Sequence, residues 1–195
     1  MNHSKPLEQS NKKIILYQGA LNKGRGIEEC INAMKNFPTL EFHIAGEGDL
    51  SQELRTLVVE LGLDKQVKFL GFIRPDELRS ITQTAWLGIN VLKADSLNYY
   101  YSLANKFFDY MQAGVPHISM NFPEYKRINE HTEIAVLIDD LDTTTIISAI
   151  QDLLDHEAYY LKLRQNCLKG SDIYLWENEG KKLIDLYKKL TEFPR

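Results

Sequence analysis

Lys106 and Asp109 are the pair in this chain whose types and spacing most directly suggest chemistry. They stand three apart in the run Asn105-Lys-Phe-Phe-Asp-Tyr-Met-Gln-Ala-Gly-Val-Pro, a spacing that makes them neighbours on one face of a helix. A helix start after a strand offers unpaired N–H groups and positive potential, which suit a phosphate. Lys106 would add a mobile cation there, and Asp109, one turn deeper, could accept from a pair of hydroxyls. A diphosphate joined to a ribose needs both. On spacing alone a surface ion pair worth about 0.2–0.5 kcal/mol is the favoured alternative.

Position depends on the elements around the pair. Leu87-Gly-Ile-Asn-Val-Leu92 reads as a buried strand. A loop then leads to Ser102, a good N-cap. Leu103, Phe107, Tyr110 and Met111 recur at helical spacing to Ala113, and Gly114 with Pro116 closes the helix. Residues 116–120 read as the next strand. A similar unit opens the chain, where Lys12-Lys-Ile-Ile-Leu-Tyr17 reads as a strand. The loop 18–26 follows, with Gly19, Gly24, Gly26 and the cations Lys23 and Arg25, and then a helix through Ile27, Cys30, Ile31 and Met34. Such a loop can cradle a diphosphate. It matches neither Gly-x-Gly-x-x-Gly nor a P-loop, and glycines that only permit a tight turn explain it equally well.

Further along, residues 40–45 alternate as a strand with His43 in its interior, read as a satisfied core or surface histidine, and Gly46-Glu-Gly48 follows. A helix over 49–61, a strand over 67–70 and a helix entered through Pro75 come next. Phe72 and Ile73 read as an apolar pair that packs the intervening loop down. Residues 121–125 read as a turn and 134–138 as the last strand. Asp139, Asp140 and Asp142 superficially suggest a metal-binding Asp-x-Asp, but Asp142 precedes Thr143-Thr-Thr-Ile-Ile and reads as a helix cap. Helices over 143–154 and 157–169 and one from Trp176 complete the pattern. This alternation predicts a single α/β domain, a doubly wound Rossmann-like parallel sheet with helices on both faces. Ligands bind beyond the carboxyl ends of such strands, and that is where the loop 18–26, Gly46–Gly48, Gly71–Ile73 and the Ser102 helix start all fall. The expected organisation is a tail or linker over 1–11, the Rossmann-like domain over 12–175, and a C-terminal helix over 176–195.

The chain has 195 residues, 44% hydrophobic and 26% charged, the balance of a soluble globular domain. A net charge of −4 argues against a nucleic-acid partner. No run approaches the length of a membrane span, and no apolar h-region follows Met1. Cys30 and Cys167 lack metal spacing and read as buried reduced thiols, which favours the cytoplasm.

The run from Asn105 to Pro116 resembles the signature helix of the group 1 (family 4) glycosyltransferases, enzymes of the two-domain GT-B fold. In that family the helix belongs to the C-terminal, nucleotide-sugar-binding domain and carries two acids eight residues apart. Asp109 stands at the second acid, which in the family binds the donor ribose. Tyr101 replaces the first, which contacts the donor sugar, and Ser102, Leu103 and Ala104 occupy the Gly-Phe-Gly place beside the diphosphate. The loop 18–26 resembles the family's Gly-Arg-Leu…Lys-Gly segment: Arg25 takes the place of the lysine, and Ala20 replaces the arginine, a loss that Lys23 could offset. Gly46 resembles the glycine where backbone passes close to the donor. Phe72 and Ile73 resemble the positions whose main chain recognises the base.

The resemblance spans about residues 13 to 190 and implies transfer of a hexose-type sugar from a nucleotide-diphosphate sugar, with retention of configuration and without a bound metal or resident cofactor. It implies donor diphosphate contacts at Arg25, Lys106, Gly19, Lys23, Ser102, Leu103 and Ala104. It further implies a ribose contact at Asp109, base contacts at Phe72, Ile73 and Gly46, and a sugar contact at Tyr101. The acceptor-binding N-terminal domain that precedes this one in the family is expected to be missing, with the fragment inactive alone and any membrane-surface association made through that domain. The final helix, with Trp176, Leu183, Leu186 and Tyr187, would then present apolar surface. The rival readings are a non-catalytic nucleotide-sugar-binding module, a nucleotide-sugar epimerase of the same two-domain fold, and an unrelated doubly wound protein.

Overall fold

The structure, a computed structural model, describes residues 13–191. The expected tail over 1–11, Lys12, and the last four residues of the C-terminal segment lie outside the described residues. The strands are β1 (Ile14–Gln18), β2 (Glu41–Ala45), β3 (Val67–Gly71), β4 (Leu87–Asn90), β5 (His117–Met120) and β6 (Ala135–Ile138). The helices are α1 (Ile27–Ala33), α2 (Ser51–Glu60), α3 (Pro75–Thr82), α4 (Leu97–Tyr100), α5 (Asn105–Ala113), α6 (Pro123–His131), α7 (Thr143–Asp155), α8 (Glu157–Ile173) and α9 (Trp176–Thr191).

All six strands pair in parallel, in the order β3-β2-β1-β4-β5-β6. After β3 the chain returns to the other side of β1, so the strand order reverses between β1 and β4. That reversal opens a crevice at their carboxyl ends, the usual ligand position in such sheets.

Strand β1 is buried on both faces, as a covered parallel sheet requires. Ile15 and Tyr17 enter the large core beneath α1 and α7, while Leu16 joins a smaller one with Ala45, Tyr110 and Val115. Tyr110 ties α5 to the switch point. Its ring lies on Gly88, where an added Cβ would meet ring carbons at 2.6 Å, and its hydroxyl donates to the Leu16 carbonyl at 2.9 Å. Phe107, Tyr110 and Met111 form the buried back of α5, and Gly114 in the left-handed region ends it, as the spacing predicts.

Several boundaries differ from the sequence reading. Helix α5 starts at Asn105, not after Ser102, and its N-cap is Ala104. Ser96 instead caps a separate short helix, α4, its Oγ accepting from the Tyr99 amide at 3.2 Å. Leu103 therefore lies outside the helix and is 37% exposed. Residues 121–125, read as a turn, instead include the first residues of α6, whose buried Tyr125 and Ile128 are too few for its polar sequence to register as periodic. Helix α8 continues past 169 to Ile173, and Gly170 within it packs closely on Met111, whose Sδ an added Cβ would meet at 2.9 Å. Asp142 caps α7 as expected, its Oδ1 accepting from the Thr145 amide at 2.9 Å. His43 is buried on β2 with Glu41 Oε2 3.0 Å from its Nε2, and both cysteines are buried free thiols.

Candidate functional site

Three adjoining recesses form a groove along the crevice. The middle one is lined by Tyr17, Gln18, Gly19, Arg25, Lys106 and Asp109 among others. It shares Gln18, Asn105 and Asp109 with a recess between α3 and α5, and Arg25, Ala104 and Lys106 with one beneath the 98–104 segment.

Lys106 is half-buried at the start of α5, with Nζ 4.0 Å from the centre of the Tyr17 ring. Among the described residues it makes no ion pair, so the i,i+3 pairing with Asp109 is not formed. Burial pushes its ammonium down to about 7, and the neighbouring Arg25 charge adds to that. Arg25 lies over the Tyr99 ring at 5.3 Å. Its Nε is buried and has no hydrogen-bond partner among the described residues. Two cations held close together, one with an unsatisfied donor, make a place for an anion.

Asp109 sits one turn further along α5. Its Oδ2 accepts from Gln18 Nε2 at 2.9 Å, and Gln18 Oε1 accepts from Thr82 Oγ1 at 2.8 Å. Burial raises the carboxyl pKa, opposed by the Gln18 bond and by Lys106. The sequence reading missed Gln18 and Thr82. A glutamine ending an apolar strand, here only 2% exposed, was the available signal.

The helix start has a second unforeseen partner. The Ala104 amide donates to Tyr125 Oη at 3.0 Å, and Ser102 Oγ lies 3.4 Å from the same oxygen. The opening amides without an intrahelical acceptor are therefore those of Asn105 and Lys106.

Of the other expected residues, some line the groove and some do not. Gly19 lines the middle recess, and an added Cβ there would be 3.5 Å from Lys106 Nζ. Lys23 is exposed and lines none of the three recesses. Gly46 is demanded by the fold itself: at φ 150°, its Cβ would come within 1.9 Å of the Gly19 carbonyl oxygen. Of the pair read as packing together, Ile73 joins the smaller core, but Phe72 is 76% exposed. Tyr101 and Leu103 line the recess beneath the 98–104 segment.

A 3-2-1-4-5-6 parallel sheet with two cations, a helix start and a carboxylate at its switch point defines a Rossmann-like α/β domain with an anion-suited groove. Residues 2–170 match the family described as glycosyl transferases group 1. The chain belongs to that family. It is 27% identical over 186 residues to an uncharacterised glycosyltransferase of Methanocaldococcus jannaschii, covering 92% of this chain and 46% of that one. It is 23% identical to a D-inositol 3-phosphate glycosyltransferase of Corynebacterium urealyticum, covering 93% and 44%. The chain thus spans about half the length of these curated relatives. In fold it matches sucrose-phosphate synthase of Thermosynechococcus elongatus with a TM-score of 0.78 at 24% identity, over 93% of this chain and 46% of that one. The Anabaena protein HepE, solved with UDP-glucose, matches with a TM-score of 0.77 at 16% identity, over 94% and 50%.

Proposed function

We propose that this chain is the donor-binding half of a glycosyltransferase that moves a hexose-type sugar from a nucleotide-diphosphate sugar to an acceptor. The observation that carries the reading is the convergence of Arg25, Lys106 and the α5 start at the β1–β4 switch point, with Asp109 one turn away. In this reading Arg25, Lys106 and the Asn105 and Lys106 amides hold the diphosphate, with Gly19 beside it. Asp109, oriented by Gln18, accepts from the ribose hydroxyls. The recess between α3 and α5 continues from Asp109 toward the base, and Tyr101 borders the sugar. As the bond to the sugar breaks, the two cations stabilise the charge gathering on the leaving diphosphate, a role for which no resident metal or cofactor is proposed. Retention of configuration rests on the family resemblance alone. A cytoplasmic location accords with the two buried free thiols. Tyr101 at the first-acid position specifically favours a second reading, a module that binds nucleotide sugar without catalysis.

Calorimetry with UDP, GDP and ADP tests the donor reading. Arg25→Ala and Lys106→Ala are each expected to weaken binding of the preferred nucleoside diphosphate by about 1.5–3 kcal/mol, the range for charged hydrogen bonds. Unchanged affinity in both removes the diphosphate assignment. Asp109→Asn is expected to weaken the ribonucleotide more than an analogue lacking the ribose hydroxyls. Loss of thermal stability with ribonucleotide affinity intact would make Asp109 a structural partner of Gln18 only.

A further inference from the structure

Building on the donor-binding reading, we infer that Thr82 is a positioning residue for the Asp109 carboxylate. Acting through Gln18, its hydroxyl sets the direction of a hydrogen-bond chain that aims Asp109 at the ribose hydroxyls. Among the described residues, Gln18 is the one hydrogen-bond partner of that carboxylate. Gln18 and Thr82 are each 2% exposed, so water does not readily replace either of them in the chain.

The direction follows from counting protons. An ionised carboxylate only accepts, so Gln18 has to present Nε2 to Asp109, as it does at 2.9 Å. An amide turned that way presents its oxygen on the other side, and Oε1 then needs a donor. Thr82 Oγ1 supplies one at 2.8 Å. The same hydroxyl lies 2.9 Å from the Leu78 carbonyl, yet it has a single proton to give. Within α3 the Leu78 carbonyl is already the helical acceptor for the Thr82 amide, which frees the hydroxyl proton for Gln18. Without that hydroxyl, Oε1 is left buried with no donor, and turning the amide over sets Oε1 against the carboxylate. Both arrangements weaken the hold on Asp109. Asp109 borders the middle recess and the one between α3 and α5, and a carboxylate free to swing between them no longer offers a ribose a fixed pair of acceptors.

The chain also bears on titration. Burial raises the Asp109 carboxyl pKa, while the Gln18 bond and Lys106 oppose the rise. Loss of the Gln18 bond removes one opposing influence, so the carboxylate is lost at a higher pH as pH falls. Other charged or titratable groups surround it: Lys106 and Tyr110 on its own helix, Arg25 and Tyr17 around the middle recess, and Arg79 on α3. A ribonucleotide and its 2′,3′-dideoxy analogue carry the same diphosphate and meet the same groups, so the ratio of their affinities isolates the ribose contact.

Calorimetry measures that ratio for whichever of UDP, GDP and ADP binds. In Thr82→Val the preference for the ribonucleotide is expected to fall about two- to tenfold, with the dideoxy affinity unchanged and the acidic limb of the ratio moved to higher pH. Thr82→Ala and Thr82→Ser leave the same space and differ by the hydroxyl alone; Ser should restore the preference that Ala loses. A wild-type ratio in Val and Ala overturns the inference and leaves the donor reading standing. So does equal loss for both nucleotides, a Ser variant no better than Ala, or loss of folding in Ala, each of which makes Thr82 a packing residue. Equal wild-type affinity for the two nucleotides removes the ribose role of Asp109, and the inference with it. Failure of all three ribonucleotides to bind the wild type removes the donor reading as well.

Discussion

Lys106 is a cation kept in the wrong solvent for a charge. Its Nζ rests on an aromatic ring, beside a second cation and without an ion pair among the described residues. Its pKa falls from the ordinary lysine value of 10.5 to about 7. Between those values the unfolded chain holds a proton that the folded chain has released, so this group's contribution to stability rises with pH across that window. A bound diphosphate would reverse the balance by favouring the ammonium, so binding above pH 7 should take up a proton. Nucleoside diphosphate affinity is therefore expected to fall from pH 7 to 9, with a binding heat that changes with the buffer's ionisation enthalpy. Lys106→Met should bind more weakly, with a flatter profile over the same range. A flat wild-type profile would contradict this account.

At the scale of elements, the start of α5 depends on α6. Tyr125 supplies the acceptor for the Ala104 amide, and its ring stacks on Phe107 with centroids 5.0 Å apart. Tyr125→Phe keeps the ring and removes the acceptor. It should cost about 0.5–1.5 kcal/mol of stability in urea unfolding and lower nucleotide affinity by loosening the amides at the phosphate. If stability falls while affinity is unchanged, the helix start is not part of the anion site. Tyr110 holds the same helix from behind, through its hydroxyl on the Leu16 carbonyl and its ring on Gly88.

For the whole molecule, the relevant fact is that the chain spans 46% and 44% of two curated relatives. Transfer requires donor and acceptor in reacting geometry with water excluded, and on the proposed donor-binding reading the groove would form one wall of such a site. The chain is expected to bind donor and transfer nothing by itself. Helix α9 leaves Trp176, Leu183, Leu186 and Tyr187 exposed, the apolar face expected for contact with a further domain. Assays of transfer and of donor hydrolysis, on this chain and on one extended to the relatives' full length, test the expectation. Robust transfer by this chain refutes it. Inactivity of the extended chain with every donor favours the binding module.

Strand and helix alternation, the Asp142 cap, the glycine loop and the shared face of Lys106 and Asp109 were all legible in residue order. Each depends on periods of two or 3.6 and on neighbours three or four residues away. Residue order also put several candidate residues at the carboxyl ends of strands, which sufficed to place the groove. Partners distant in sequence were not legible. Gln18 reaches Asp109 across 91 positions, Thr82 reaches Gln18 across 64, and Tyr125 reaches Ala104 across 21. Those contacts exist only once strand order and register bring the segments together. The same holds for charge: spacing allowed Lys106 to pair with Asp109, and packing against Tyr17 held it apart. Local order determined which residues could share a face, and tertiary packing decided what each would meet, because a side chain's surroundings are set by whichever strands and helices the sheet makes its neighbours.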